Sequence, residues 1–210
     1  MKFVFERVIE MNNYDITKQT YDTNSDIFIS QWKDTNTIDN VKIETYIKLL
    51  PQRAKILDIG AGFGKDVNYF CSKGLECIGI DFCDEFIQKS KELYSNVRII
   101  KMNFLDIDFP ENTFDGLWSR GALFHISKND FNQVIRILSN ILKPNGVFYI
   151  QLIAGNQDAM LERVGSVESP AHYSYYTKDE LKEIMNKYNF EFEKEYPIDG
   201  WLNHYYRLKK

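Results

Sequence analysis

Ile56-Leu57-Asp58-Ile59-Gly60-Ala61-Gly62-Phe63-Gly64 is the stretch that decides the fold. Lys55 to Ile59 reads as a buried strand that ends in a glycine cluster, and Lys65 to Ser72 then sets Val67, Phe70 and Cys71 on one helical face. Glycine at such a turn lets the backbone reverse sharply and approach a ligand with no Cβ in the way. The helix start that follows offers unpaired N–H groups to an anion. A glycine-rich turn also serves packing alone, so the turn by itself decides nothing about function. The next strand, Glu76-Cys77-Ile78-Gly79-Ile80, runs directly into Asp81. An acidic side chain there accepts hydrogen bonds from both hydroxyls of a ribose. Asp81 alone reads equally well as a helix cap; strand, glycine turn, helix, strand and acid together describe a nucleoside-cofactor site.

Outward from this unit the chain keeps a βαβα rhythm, the signature of a parallel sheet. Phe86, Ile87, Leu93 and Tyr94 mark a helix, Val97 to Ile100 a third strand and Phe114 to Trp118 a fourth. Ser127-Lys128-Asn129-Asp130 has the form of a capping box, and the apolar positions from Phe131 to Leu142 repeat at helical spacing until Pro144-Asn145-Gly146 stops them. Gly146 to Leu152 is a fifth strand, and Thr177-Lys178-Asp179-Glu180 caps a last helix. Phe190, Phe192 and Tyr196 then alternate with glutamates, and a second alternating run spans Trp201 to Leu208, which predicts an antiparallel hairpin closing one sheet edge. The expected fold is thus α/β: a Rossmann-like, seven-stranded, mostly parallel sheet with helices on both faces and an antiparallel C-terminal hairpin. Residues 1–50 form an expected helical cap segment, with helices over Thr17 to Trp32 and Val41 to Leu50, ahead of a main domain over 51–210. Met11-Asn12-Asn13-Tyr14 resembles a native start, so residues 1–10 read as an extension without assigned function.

Composition narrows the function classes. The 210 residues are 44% hydrophobic and 27% charged with a net charge of −4, an ordinary globular balance. The basic residues are scattered, so no nucleic-acid footprint is expected. No apolar run approaches the ~18 residues of a membrane span and the N-terminus lacks a signal peptide's pattern, so the expectation is a cytoplasmic protein away from the membrane. Cys71, Cys77 and Cys83 fit neither a CxxC pair nor zinc spacing and read as reduced thiols, with no metal site.

The cofactor is discriminated by detail. Dinucleotide binders use GxGxxG, whereas here the third glycine comes one residue early, and Asp58 sits in the strand end, where a carboxylate suits a ligand with a positive amino group rather than a pyrophosphate. The stretch Ile56 to Gly64 resembles the first motif of class I S-adenosylmethionine-dependent methyltransferases, and Gly79-Ile80-Asp81 resembles their acidic second motif. Met102-Asn103-Phe104, Phe109 through Asp115, and Leu138 through Gly146 match further motifs in order, so that the resemblance runs from about Tyr14 to the C-terminus. It implies S-adenosylmethionine as cofactor, with Gly60, Ala61, Gly62 and Gly64 lining its methionine and ribose parts and Asp58 orienting its amino group. Asp81 would hold the ribose and Phe82 flank the adenine, while Asn103, where the family usually has Asp, and the Phe104 N–H would read the adenine edge. Ser119 and Arg120 would border the methionine end, and Lys65 would pair its carboxylate or stay solvated at the helix start; Tyr14, Tyr21 and Trp32 of the N-terminal segment cover either a ligand or the sheet edge.

The resemblance also implies methyl transfer, to an O, N or S atom. His125, just after the fourth strand, is the candidate proton acceptor, with bracing of its loop as the alternative role. No motif for nucleic-acid amino groups and no Pro-Cys nucleophile is present, which favours a small-molecule acceptor. His172, Tyr175, Tyr176, Trp201 and His204 are the candidates for binding it. A non-catalytic cofactor-binding regulator or partner subunit, or a protein or RNA methyltransferase, are the alternatives, and the expected assembly is a monomer or homodimer.

Overall fold

The computed structural model describes residues 11–34 and 37–210; the N-terminal extension expected over 1–10 lies outside the described residues. Its strands are β1 (Lys55–Ile59), β2 (Glu76–Asp81), β3 (Ile99–Lys101), β4 (Phe114–Arg120), β5 (Leu142–Ala154), β6 (Asp158–Leu161), β7 (Ala171–Tyr176), β8 (Phe190–Glu195) and β9 (Trp201–Leu208). The helices are α1 (Asn13–Thr23), α2 (Ser25–Trp32), α3 (Thr37–Ile47), α4 (Lys65–Ser72), α5 (Asp84–Leu93), α6 (Lys128–Ile141) and α7 (Lys178–Lys187). Strands β3-β2-β1-β4-β5 run parallel, and β9 pairs antiparallel with both β5 and β8.

Side-chain alternation sorts the core into two layers. Leu57, Ile59, Leu117, Phe148 and Ile150 face one way, under α6 and α7. Ile56, Trp118, Val147, Tyr149 and Tyr205 face the other, where α4 and α3 cover them through Phe70, Ile43 and Tyr46. The N-terminal helices therefore divide between the faces, because Tyr21 and Phe28 belong to the first layer.

Four details differ from the sequence expectation. The helix expected over Thr17 to Trp32 breaks at Asn24, whose side-chain amide donates to Thr20 O at 2.8 Å, a local bond that competes with the helix ladder. The third strand is shorter and begins at Ile99. β5 begins at Leu142, and a register shift on β4 between Phe114 and Gly116 takes up the Pro144-Asn145 residues. The sheet has nine strands because Asp158–Leu161 and Ala171–Tyr176 form an extra hairpin, which joins β5 only through Ile153↔Tyr175 and Ala154↔Tyr176. All three cysteines are free; Cys77 and Cys83 are buried and Cys71 half-buried. Among the described residues no helix is long and apolar enough to cross a membrane.

Gly116 shows how closely α3 is docked: a Cβ there would collide with the Tyr46 hydroxyl and lie 2.9 Å from Leu50. Gly116→Ala should cost about 1–3 kcal/mol through overpacking. Thermal unfolding should show the drop, and an unchanged midpoint would mean that α3 is not seated on the sheet.

Candidate active site

A cavity of about 450 Å³ lies over the C-terminal ends of β1, β2, β4 and β5. Gly60 N and Ala61 N both donate to Ile80 O, at 2.9 and 3.0 Å, which ties the loop after β1 to the end of β2. Gly60 has φ +74°, and a Cβ on it would collide with Ala122 Cβ. Only glycine lets the loops after β1 and β4 meet there. Asp81 accepts from Gly62 N at 2.7 Å through one oxygen and from Cys83 N at 2.9 Å through the other. Burial nevertheless pushes its carboxyl up to about 6, against those backbone hydrogen bonds.

Two more carboxylates stand beside it. Asp66, on the first turn of α4, takes a bidentate ion pair from Arg120 at 2.7 and 2.9 Å and a third bond from Trp118 Nε1 at 2.8 Å. Burial works against its charge, but the Arg120 guanidinium and these hydrogen bonds hold Asp66 below the usual carboxylate range. Asp58 has no such partner among the described residues. Burial first, and the Asp66 charge second, push its carboxyl well above the ordinary value.

At the far end, the Tyr21 hydroxyl meets His125 Nε2 at 2.7 Å, and His125 Nδ1 lies 2.7 Å from His172 O. A carbonyl only accepts, so Nδ1 carries the proton and Nε2 accepts from Tyr21 O–H. Burial holds His125 down to about 4 and keeps it neutral at pH 7. The roof comes from α1 and α2: Tyr21 and Trp32 line the cavity, and Lys65 Nζ donates to Trp32 O at 2.8 Å.

The family model described as a methyltransferase domain matches residues 57–150. A phosphoethanolamine N-methyltransferase of Plasmodium falciparum is 30% identical over 147 residues, 68% of this chain and 55% of that one. The chain thus spans about half the length of the relatives it matches. The structure of a Burkholderia thailandensis 1,6-didemethyltoxoflavin-N1-methyltransferase, solved with that compound and S-adenosylhomocysteine, superposes with a TM-score of 0.73 at 20% identity, covering 93% of this chain and 88% of the other. The CcbJ methyltransferase of Streptomyces caelestis gives 0.75 at 16% identity, covering 94% and 100%. At these identities the two structures establish the fold.

Residues 57–150 thus carry a methyltransferase domain, within the fold of the class I S-adenosylmethionine-dependent methyltransferases.

The donor set of this methyltransferase domain fits the family's cofactor. Asp58 is a buried carboxylate in need of a cationic group, and the Asp81 oxygens each keep a lone pair beyond their backbone bonds for hydroxyl donors. The expected residues Tyr21, Asp58, Gly60, Ala61, Gly62, Lys65, Asp81, Phe82, Phe104, Arg120, His125 and Trp201 line this one cavity. Gly64 does not: it stands behind the loop against Val97 and Ile99. Tyr14, Asn103 and His172 line a second cavity of about 380 Å³ that also touches His125. There Asn103 Oδ1 already accepts from Leu105 N at 2.9 Å, and Tyr14 packs 5.1 Å from Phe82.

Ser119 lines neither cavity; its hydroxyl donates to Ile59 O inside the sheet. Three of the expected acceptor residues also lie elsewhere. Tyr175 is packed beside Gly155, Tyr176 is buried against Phe131, and His204 is buried between Tyr206 and Glu195. Tyr176 and His204 lie on the strand faces opposite Tyr173 and Trp201, whereas Tyr175 shares the face of Tyr173 but sits two residues further along β7. Sequence reasoning gave no role to Asp66, Phe124, Gln151 or Tyr173, all of which line the cavity. Gln151 had a legible signal, as the one amide in the apolar run Val147 to Leu152.

Asp81 makes the site pH-dependent. Its folded value of about 6 means that the carboxylate needed to accept from hydroxyl donors is lost as pH falls through 6. Calorimetric affinity for S-adenosylhomocysteine should drop between pH 7 and pH 5, and Asp81→Asn should bind weakly with a smaller drop over that range. A flat wild-type profile would remove Asp81 from the contact.

Proposed function

We propose that this chain transfers the methyl group of S-adenosylmethionine to a small molecule held over the ends of β4 and β5. The observation that carries the reading is the shared, roofed chamber. Tyr21 and Trp32 from the N-terminal helices and Val164 from the extra hairpin line the same cavity as Asp58, Gly60 and Asp81. Its volume of about 450 Å³ is that of a small-molecule site, not of a groove for a macromolecule. Relatives named for phosphoethanolamine and 1,6-didemethyltoxoflavin point the same way.

In this reading Asp58 pairs with the ammonium of the methionine part, Asp81 accepts from the ribose hydroxyls, and Phe82 and Phe104 flank the base. S-adenosylmethionine supplies a methyl group that is already electrophilic on its sulfonium. The chain's task is to hold an acceptor lone pair in line with the S–CH₃ bond and to exclude water. Aromatic faces such as Tyr21 and Phe124 favour the positive sulfur. An acceptor hydroxyl or ammonium must also shed a proton. Tyr21 takes it as its own proton passes to His125 Nε2, while His172 O fixes the opposite ring nitrogen. His125 thus acts through Tyr21 and is neutral at rest, with its proton on Nδ1 and Nε2 open to accept one.

Transfer of a labelled methyl group from S-adenosylmethionine to a panel of small phenols, amines and thiols tests the reading. Labelling of protein or RNA with none in the panel would overturn it. With an accepted hydroxyl substrate, Tyr21→Phe should cut turnover roughly 10²–10⁴-fold, the reach of proton-transfer catalysis, with cofactor affinity nearly intact. The loss should shrink as pH rises and the acceptor ionises unaided. Parallel loss of affinity and thermal midpoint would mean that the pair only braces the roof.

A further inference from the structure

Gln151 stands at the acceptor end, opposite Arg120 of β4 and Asn203 of β9 in register, and lines the cavity. Its amide is held from behind. Gln151 Nε2 donates to Asn203 Oδ1 at 2.9 Å, and the Tyr149 hydroxyl donates to the same oxygen at 2.9 Å. Asn203 and Tyr149 are both buried, and Tyr149 stacks on Trp118 with centroids 4.0 Å apart. Turning the Gln151 amide over would set its Oε1 against Asn203 Oδ1, carbonyl against carbonyl, and break the buried bond between them. The orientation leaves Gln151 Oε1 toward Gly121, where an added Cβ would sit 3.8 Å away. Gly121 itself lines the cavity. An acceptor oxygen so placed calls for a donor from the ligand.

The surrounding walls are flat and uncharged. Phe124 and Tyr173 stack at 5.4 Å with 11° between their planes, and Trp201 lies 6.0 Å from Phe124. The cavity's cations are drawn elsewhere: Arg120 lies on Asp66 and Lys65 on Trp32 O. With Asp58, Asp66 and Asp81 in the same cavity, a phosphate dianion would lose its water beside a set of carboxylates.

We propose, on the footing of the methyltransferase reading above, that Gln151 selects the acceptor. The acceptor is an uncharged, planar aromatic or heteroaromatic molecule whose N–H or O–H donates to Gln151 Oε1 and whose ring lies along Phe124 and Trp201. The anchoring by Tyr149 and Asn203 makes this a fixed demand for a donor, so an isostere with a carbonyl or ether in that place is rejected.

The test uses the full chain saturated with S-adenosylhomocysteine and probed with alloxazine, 2-quinolone, 7-hydroxycoumarin and phosphoethanolamine. At least one ring compound should raise the thermal midpoint, and phosphoethanolamine should not. Gln151→Leu should weaken that ring compound about tenfold, one buried hydrogen bond's worth, while retaining S-adenosylhomocysteine. Trp201→Ala, at a half-exposed strand end, should weaken it as well and guards against misfolding of the first variant. A response to phosphoethanolamine, no response to any ring compound, or undiminished ring binding by both variants would overturn the proposal alone. Failure of the wild type to bind S-adenosylhomocysteine would overturn the underlying methyltransferase reading, and this one with it.

Discussion

The buried ion pair between Asp66 and Arg120 constrains everything around it. It fastens the first turn of α4 to the end of β4 and takes in the Trp118 indole from the layer beneath. Removing either partner alone would strand a buried charge, a loss of about 3–5 kcal/mol in such settings. The pair also sets the electrostatics of the chamber. The fixed charge on Asp66 helps raise Asp58, so that a cation is the partner that this buried carboxyl lacks. Arg120, spent on Asp66, is no longer a general anion receptor. One interaction thereby fixes both ends of the site: a demand for positive charge near the glycines and a lack of it near the acceptor.

Much of this was legible in the sequence, and for identifiable reasons. β1, its glycine turn and Asp81 were readable because their chemistry is local: a strand end, a chain reversal and an acid one strand away. The capping residues Ser127 and Thr177 placed two helix starts correctly, since a cap depends only on the next three residues. The C-terminal hairpin followed from strict alternation over β8 and β9.

What the sequence withheld depends on distant contacts. The hairpin of β6 and β7 was hidden because β6 is only four residues long and the hairpin joins the sheet at only two paired positions. Tyr176 and His204 lie on the strand faces opposite Tyr173 and Trp201, where a one-residue change of register exchanges faces, and Tyr175 sits two residues beyond Tyr173 along β7. Asp66 stands in the first turn of α4, and only Arg120, brought from 54 residues away, gives it meaning. Tyr21 and His125 are likewise brought together across 104 residues.

The extra hairpin touches the parent sheet at only two paired positions, yet it delivers Val164, Gly165 and Tyr173 to the chamber. The glycine turn, Asp81 and the Asp66–Arg120 pair owe it no hydrogen bond. Change within residues 156–176 therefore reshapes the far wall of the chamber and, through His172 O, the seat of His125, while the turn that holds Gly60 and Asp81 keeps every one of its own bonds.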